Sequence, residues 1–168
     1  ARELDRNEPT IHGIFDRMTD NVAGPEFKFR PDTDDEVFNR DAAALLAETA
    51  PTAEHRGMFN FQETLDTGFR SLGPDGDFLQ IFLKDNRFQV IEAHDLVTPR
   101  GGKGFKDRRV VSGVETNDSG VPTGYYVRDP AKDSQFGWTG VWTDSQRIDA
   151  ADVEHIANRH RFTQTRGV

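Results

Sequence analysis

The chain has 168 residues, enough for one domain with a real core, with 35% hydrophobic and 30% charged residues. Its net charge of −8 disfavours tight, non-specific nucleic-acid binding, while 13 Phe spread along the chain argue against disorder. The absence of Cys excludes a disulfide framework and any Cys-based zinc site. No apolar run reaches the roughly 18 residues of a membrane span and nothing resembles a signal peptide, so a cytosolic setting is the default expectation.

Residues 7–22 read as a helix, with Asn7 as cap, Pro9 in the first turn, apolar Ile11, Phe15, Met18 and Val22, and Gly24-Pro25 as the stop. A second helix is expected from Asp34 to Thr49. Thr33 and Glu36 form a capping-box pair, Phe38, Ala42, Leu45 and Leu46 give an apolar face, and Pro51 ends it. The run Asp32, Asp34, Asp35 and Glu36 reads as charge complementing the helix dipole rather than as a metal cluster. A third helix starts at Asn60, paired with Glu63, and carries Phe61, Leu65, Phe69 and Leu72 in one stripe up to Gly73-Pro74.

That helix leads through Asp75-Gly76 into the two most strand-like runs, Phe78–Leu83 and Phe88–Ile91, joined by Lys84-Asp85-Asn86. Leu79, Ile81 and Leu83 share one face and Phe78 and Phe82 the other, which predicts a strand covered on both sides. After Glu92-Ala93-His94-Asp95 comes a Gly-rich loop with Arg100, Lys103, Lys106, Arg108 and Arg109 against the single acid Asp107. It lacks the spacing and Ser/Thr of a phosphate loop. It reads either as solvated or as a contact for a phosphate backbone or an acidic partner. Residues 110–116, the turn Asn117–Gly120 and residues 121–127 read as a second hairpin, with Pro122 pushing its second arm toward a sheet edge. A polar loop from Asp129 to Gly137, a short strand at Trp138, Val141 and Trp142, a tight turn at Asp149–Asp152 and a last strand at 153–157 complete the pattern.

Chemistry is hard to place on these elements. The Gly-x-Ser-x-Gly elbow is absent. His94 and Asp95 could pair as base and orienter, but no nucleophile accompanies them, and Asp75-Gly76-Asp77 is too short for a calcium loop. His155, Asn158 and His160, with Asp149 or Asp152, offer an irregular set of ligands for a metal-dependent nuclease. No cofactor is indicated.

Six segments, taken in order, resemble the N-terminal part of lambda-type bacteriophage portal proteins almost end to end. They are Ala1–Pro9; Asp20-Asn21-Val22-Ala23-Gly24; Phe69-Arg70-Ser71-Leu72 with Asp75, Gly76 and Asp77; Val90-Ile91-Glu92-Ala93 with Asp95 and Thr98-Pro99; Gly113-Val114-Glu115 through Gly120 to Tyr125-Tyr126-Val127; and Ile148–His155 with Arg161, Gln164, Thr165, Arg166, Gly167 and Val168. Phe162-Thr163 stands where the family has Pro-Gly, and His94 looks inserted before Asp95. The resemblance implies an α+β fold, N-terminal helices followed by antiparallel hairpins, forming much of a portal wing. Residues 1–75 would be its helical part and 76–168 its β-rich part, one compact domain truncated at residue 168 and continuing in the family into stem, clip and crown. It also implies a non-enzymatic homo-oligomeric ring of about twelve subunits at the capsid vertex of the virion. Such a ring assembles in the host cytoplasm, passes double-stranded DNA without reading its sequence, and docks terminase and capsid or head-completion proteins.

Overall fold

The computed structural model describes residues 2–99, 109–128 and 145–167. The chain divides into two compact units. One comprises Ala1–Pro74 with Leu83–Gln89, the other Asp75–Phe82 with Val90–Val168. Helices precede strands and both sheets are antiparallel, so the fold is α+β as expected.

The first unit carries helices α1 (Arg2–Asn7), α2 (Pro9–Val22), α3 (Glu36–Thr49) and α4 (Phe61–Asp75). The helix expected over residues 7–22 is α2, and a short additional helix, α1, precedes it. Glu8, not Asn7, occupies the cap position of α2, in an extended conformation without a side-chain cap bond. Pro9 is the reason, since proline restricts the residue before it to extended angles yet suits the first helical position. Gly24, at φ 70°, follows the end of α2 as expected. The cap of α3 also differs from expectation. Asp35 accepts from the backbone N–H of Val37 (2.9 Å) and Phe38 (3.0 Å), which places an acid of the Asp32–Glu36 run at the helix start. Thr33 bonds Asn39 instead.

The start of α4 is a reciprocal capping box, with Glu63 N–H donating to Asn60 Oδ1 (2.9 Å) and Asn60 N–H donating to Glu63 Oε2 (2.8 Å). Its end lies beyond the expected stop, because Pro74 falls inside the last turn. Gly73 serves packing rather than termination, since a Cβ there would meet the Phe15 ring at 2.4 Å. The left-handed residue that ends the helix is Gly76, at φ 83°. The rings of Phe27, Phe61 and Phe88 meet edge to face in this unit, with centroids 5.1 and 6.2 Å apart.

Among the described residues the strands form two sheets. One has the order β2 (Phe88–Glu92), β1 (Asp77–Phe82), β7 (Val153–Ala157). The other runs β3 (Arg109–Val111), β4 (Val114–Thr116), β5 (Pro122–Arg128), β6 (Ser145–Asp149). Asn86 takes the expected positive φ in the β1–β2 turn. Phe78, Leu79 and Ile81 are buried, but Phe82 is exposed, so the two-sided cover stops short of the strand's end.

Two expectations for the second hairpin are corrected. Its first arm is itself a hairpin, because Ser112 and Gly113 both have positive φ (50° and 83°) and make a two-residue turn between β3 and β4. Pro122 does not mark an edge, for β5 pairs with both β4 and β6. As the first residue of β5, at a register shift opposite Thr116, Pro122 costs the ladder little. The turn at Ala150–Asp152, where Asp149 Oδ1 accepts from Ala151 N–H (3.0 Å), carries the chain from β6 of one sheet to β7 of the other. The core of this unit is Leu79, Leu96, Val114, Tyr125 and Val127, flanked by Ile91, Ile148, Ala150 and Val153. The expected loop at 129–137 and strand at Trp138–Trp142 lie outside the described residues.

Asn60→Ala should destabilise α4 by ~1 kcal/mol through loss of one arm of the capping box, while Glu63→Gln retains most of it. Urea unfolding of the two variants, followed by far-ultraviolet circular dichroism, checks the order.

Candidate functional site

Polar side chains of the second unit converge on Asp77, the first residue of β1, whose side chain is 1% exposed. β7 runs antiparallel to β1 with His155 opposite Leu79, so His155 lies diagonal to Asp77 on the same sheet face. Its Nε2 is 2.9 Å from Asp77 Oδ2. The same oxygen accepts from Arg166 Nε (2.5 Å) and from the backbone N–H of Gly167 (2.9 Å), and Oδ1 accepts from Arg166 Nη2 (2.9 Å). The guanidinium therefore grips the carboxylate as a two-pronged fork, the strongest common geometry for such a pair. Two of its three remaining hydrogens go to carbonyls, Ser112 (2.8 Å) in the β3–β4 turn and Ala93 (2.6 Å) in the turn after β2.

Burial by itself raises the Asp77 pKa, but the bonds from His155, Arg166 and Gly167 and the charge of Arg166 outweigh it, and the carboxyl is held well below the ordinary range. The hydrogen-bond pattern also assigns the tautomer of His155. An ionised carboxylate only accepts, so Nε2 carries the hydrogen, and Nδ1 accepts from Arg159 Nη2 at 3.1 Å. Both ring nitrogens are engaged, leaving no lone pair for a metal. The ring edge packs on Tyr125 at a centroid distance of 5.4 Å.

The backbone closes this node as tightly as the side chains do. Asn158 N–H donates to Gly76 O (2.8 Å), and a Cβ on Gly167 would fall 1.7 Å from that same oxygen. Only glycine fits at position 167.

A second buried carboxylate, Glu115 on β4, accepts from Tyr126 Oη (2.8 Å) and Arg147 Nε (3.0 Å), with Thr123 Oγ1 at 3.3 Å. Its bond to Arg147 is the main reason that the guanidinium pKa is raised. Arg147 lies across β5 over Gly124, where a Cβ would meet the guanidinium at 2.7 Å. Near the chain's other acidic turn, Arg128 Nε donates to Asp95 (2.9 Å), and His94 sits between Glu92 (3.2 Å) and Asp95 (3.5 Å). Within the first unit, Arg70 reaches both oxygens of Asp5 (3.0 Å each), Asp16 (2.7 Å) and the His12 ring (2.9 Å).

The residues singled out in the sequence thus separate into groups. Gly76, Asp77, His155, Arg166 and Gly167 come together in one node. Gln164 supports it locally, its Oε1 accepting from the backbone of His160 and Arg161 (2.7 Å each). Glu92 and Asp95 flank the Ala93 carbonyl that receives Arg166, and Asp75 ends α4. Arg109 is exposed on β3, whereas Arg100, Lys103, Lys106 and Arg108 lie outside the described residues. The metal set of His155, Asn158 and His160 does not form. His155 is committed to Asp77 and Arg159, Asn158 and His160 are exposed, and among the described residues no three His, Asp or Glu side chains gather to hold an ion. Sequence reasoning passed over Arg147, Arg128 and the pairing of Arg70 with Asp5 and Asp16, because strand alternation and helix stripes carry no signal for partners so distant in the chain.

Every buried side-chain nitrogen and oxygen among the described residues has a partner. Such a network fixes the backbone segments that it joins. Asp77, His155, Arg166, Gly167 and Glu115, at its centre, belong to the ordered segments, and the family model for phage portal protein, lambda family, matches residues 1–168. The chain belongs to the lambda family of phage portal proteins. No curated protein matches it. In portal terms, the Asp-Gly-Asp segment, the Gly-Val-Glu hairpin and the closing Gln-x-Arg-Gly segment are the parts that the Asp77 and Glu115 networks hold in place.

Asp77→Asn should cost about 3–5 kcal/mol, the usual penalty for leaving a buried charge without its partner, here Arg166. The pH dependence has a definite sign. Asp77 has a depressed pKa in the fold, so its stabilisation is full above the ordinary value of 3.8 and is lost as pH falls below it. Chemical denaturation between pH 2 and 6 should show a shallower acid limb in Asp77→Asn than in the parent chain.

Proposed function

We propose that this chain contributes to the wing of a portal ring at the capsid vertex of the virion. Residues 1–75 supply helical parts and residues 76–168 β-rich parts. Double-stranded DNA is packaged and ejected through the ring without sequence reading. Terminase and the capsid or head-completion proteins dock on it, and assembly takes place in the host bacterial cytoplasm. The role is mechanical, not enzymatic, and needs no cofactor.

The observation that carries this reading is where the ordered segments meet. Motif residues from three of those segments converge on Asp77 in a network that engages both carboxylate oxygens and both ring nitrogens of His155 within the chain. That is what a part bearing load between subunits requires, and it is the opposite of a reactive centre, where groups are left poised for a substrate. The whole-chain family match supports the same reading.

In the basic stretch, Arg100, Lys103, Lys106, Arg108 and Arg109 give five positive charges in an acidic chain, which favours contact with DNA phosphates or with an acidic surface of an adjacent subunit.

Negative-stain electron microscopy of the full-length gene product should show closed rings; a protein that stays monomeric at micromolar concentration would sink the proposal. Plasmid incubated with the protein and magnesium should remain intact. EDTA-sensitive cleavage that disappears in His155→Ala would instead establish the nuclease. Replacing all five basic residues by Ser should reduce DNA packaging or ring yield, and unchanged packaging and assembly would return that stretch to a solvated loop.

A further inference from the structure

The first unit leaves an apolar surface uncovered. Along α3, Phe38 and Leu45 are 56% and 61% exposed, and with Leu46 and Phe29, from the extended stretch before the helix, they line an open groove of about 680 Å³. Asp35 and Asp41 stand on the same groove, and Asp32, Asp34 and Glu36 extend the acidic border at the helix start. An exposed aliphatic residue alone is ordinary; a grooved apolar strip with an acidic rim is a docking surface.

The second unit carries its chemical complement. Phe162 is fully exposed in the turn after β7, and its neighbours Arg159, His160 and Arg161 are exposed and basic. The turn that presents them is held from beneath, since Gln164 accepts from the backbone of His160 and Arg161, and Arg166 is anchored on Asp77. The ring therefore projects from a supported turn, not a loose one, which lowers the entropy lost on docking.

We propose that Phe162 of one copy seats in the α3 groove of the next, its basic neighbours facing the acidic rim, so that copies join head to tail. A contact between two different patches of the same chain is heterologous, and repetition of it closes a ring when the rotation allows. The inference rests on the ring reading above and names the surfaces that would make it. An aromatic anchor in an apolar pocket with a charged rim is the arrangement in which a few side chains dominate association.

The 168 residues contain no Cys, so an introduced pair can report the contact. In the full-length protein, Leu45→Cys with Phe162→Cys should give a ladder of disulfide-linked oligomers under mild oxidation, and neither single variant should. Leu45→Asp and Phe162→Asp, both at exposed positions that tolerate charge, should each weaken self-association by about tenfold or more in sedimentation velocity. Rings in the microscope without any ladder would overturn the pairing and leave the ring reading standing. Absence of both rings and ladder would overturn the two together. A disulfide confined to one chain would show that Phe162 occupies its own groove, and dimers of the Leu45→Cys single variant would show like faces meeting; either refutes the head-to-tail contact.

Discussion

The second unit depends on the burial of one negative charge. Asp77 is shut away from water where β1 begins, and a carboxylate in that position is tolerable only if it is met by a cation and by enough donors to use its lone pairs. Four donors meet it from two parts of the fold: His155 from the neighbouring strand, and two nitrogens of Arg166 and the amide of Gly167 from the closing segment. Arg166 then uses two of its spare hydrogens on Ala93 and Ser112, so the turns after β2 and between β3 and β4 are positioned by the same group. Neutralising a single buried charge thereby fixes the relation of five pieces of chain.

Such a network adds little net stability compared with well-packed apolar side chains of equal volume, because desolvation offsets most of the attraction. Its contribution is uniqueness. Beside the core of Leu79, Val114 and Tyr125, a fork on Asp77 admits one position for Arg166 and a glycine contact admits one path for the backbone. Glu115 repeats the device in the other sheet, where Arg147 crosses β5 and Tyr126 supplies the hydroxyl. In the first unit Arg70 joins Asp5 and Asp16 of two other helices, in a more exposed setting. A protein with high charge content thus places several of its ions inside as fasteners.

Local patterns in the sequence were legible where local physics decides. The Asn60–Glu63 box, the stop at Gly24, the Asn117–Gly120 turn and the Ala150–Asp152 crossing all follow from groups within a few residues of one another. The errors arose where a residue has two uses. Gly73 reads as a breaker but is small to admit Phe15; Ser112-Gly113 reads as strand but turns; Pro122 reads as an edge marker but opens a paired strand at a shifted register. Arg166 and Gly167 were recognisable only as members of a family pattern, and Asp77 and His155 otherwise drew only metal-site readings that fail. What they do to one another could not be read, since hydrogen bonds across such long separations leave no periodic trace.

The bond from Gly167 to Asp77 spans 90 positions of sequence, and this has a consequence for how the protein comes into being. At typical synthesis rates of about 5–20 residues per second, β1 waits roughly 5–20 s after Asp77 is made before its partners exist. During that interval the carboxylate must stay hydrated, so β1 cannot settle into its final burial however apolar Phe78, Leu79 and Ile81 are. The hairpin stays open on that flank, and the closing segment acts as the latch that completes the unit. Aggregation during synthesis should accordingly concentrate on nascent chains that have displayed β1 but not yet released Arg166.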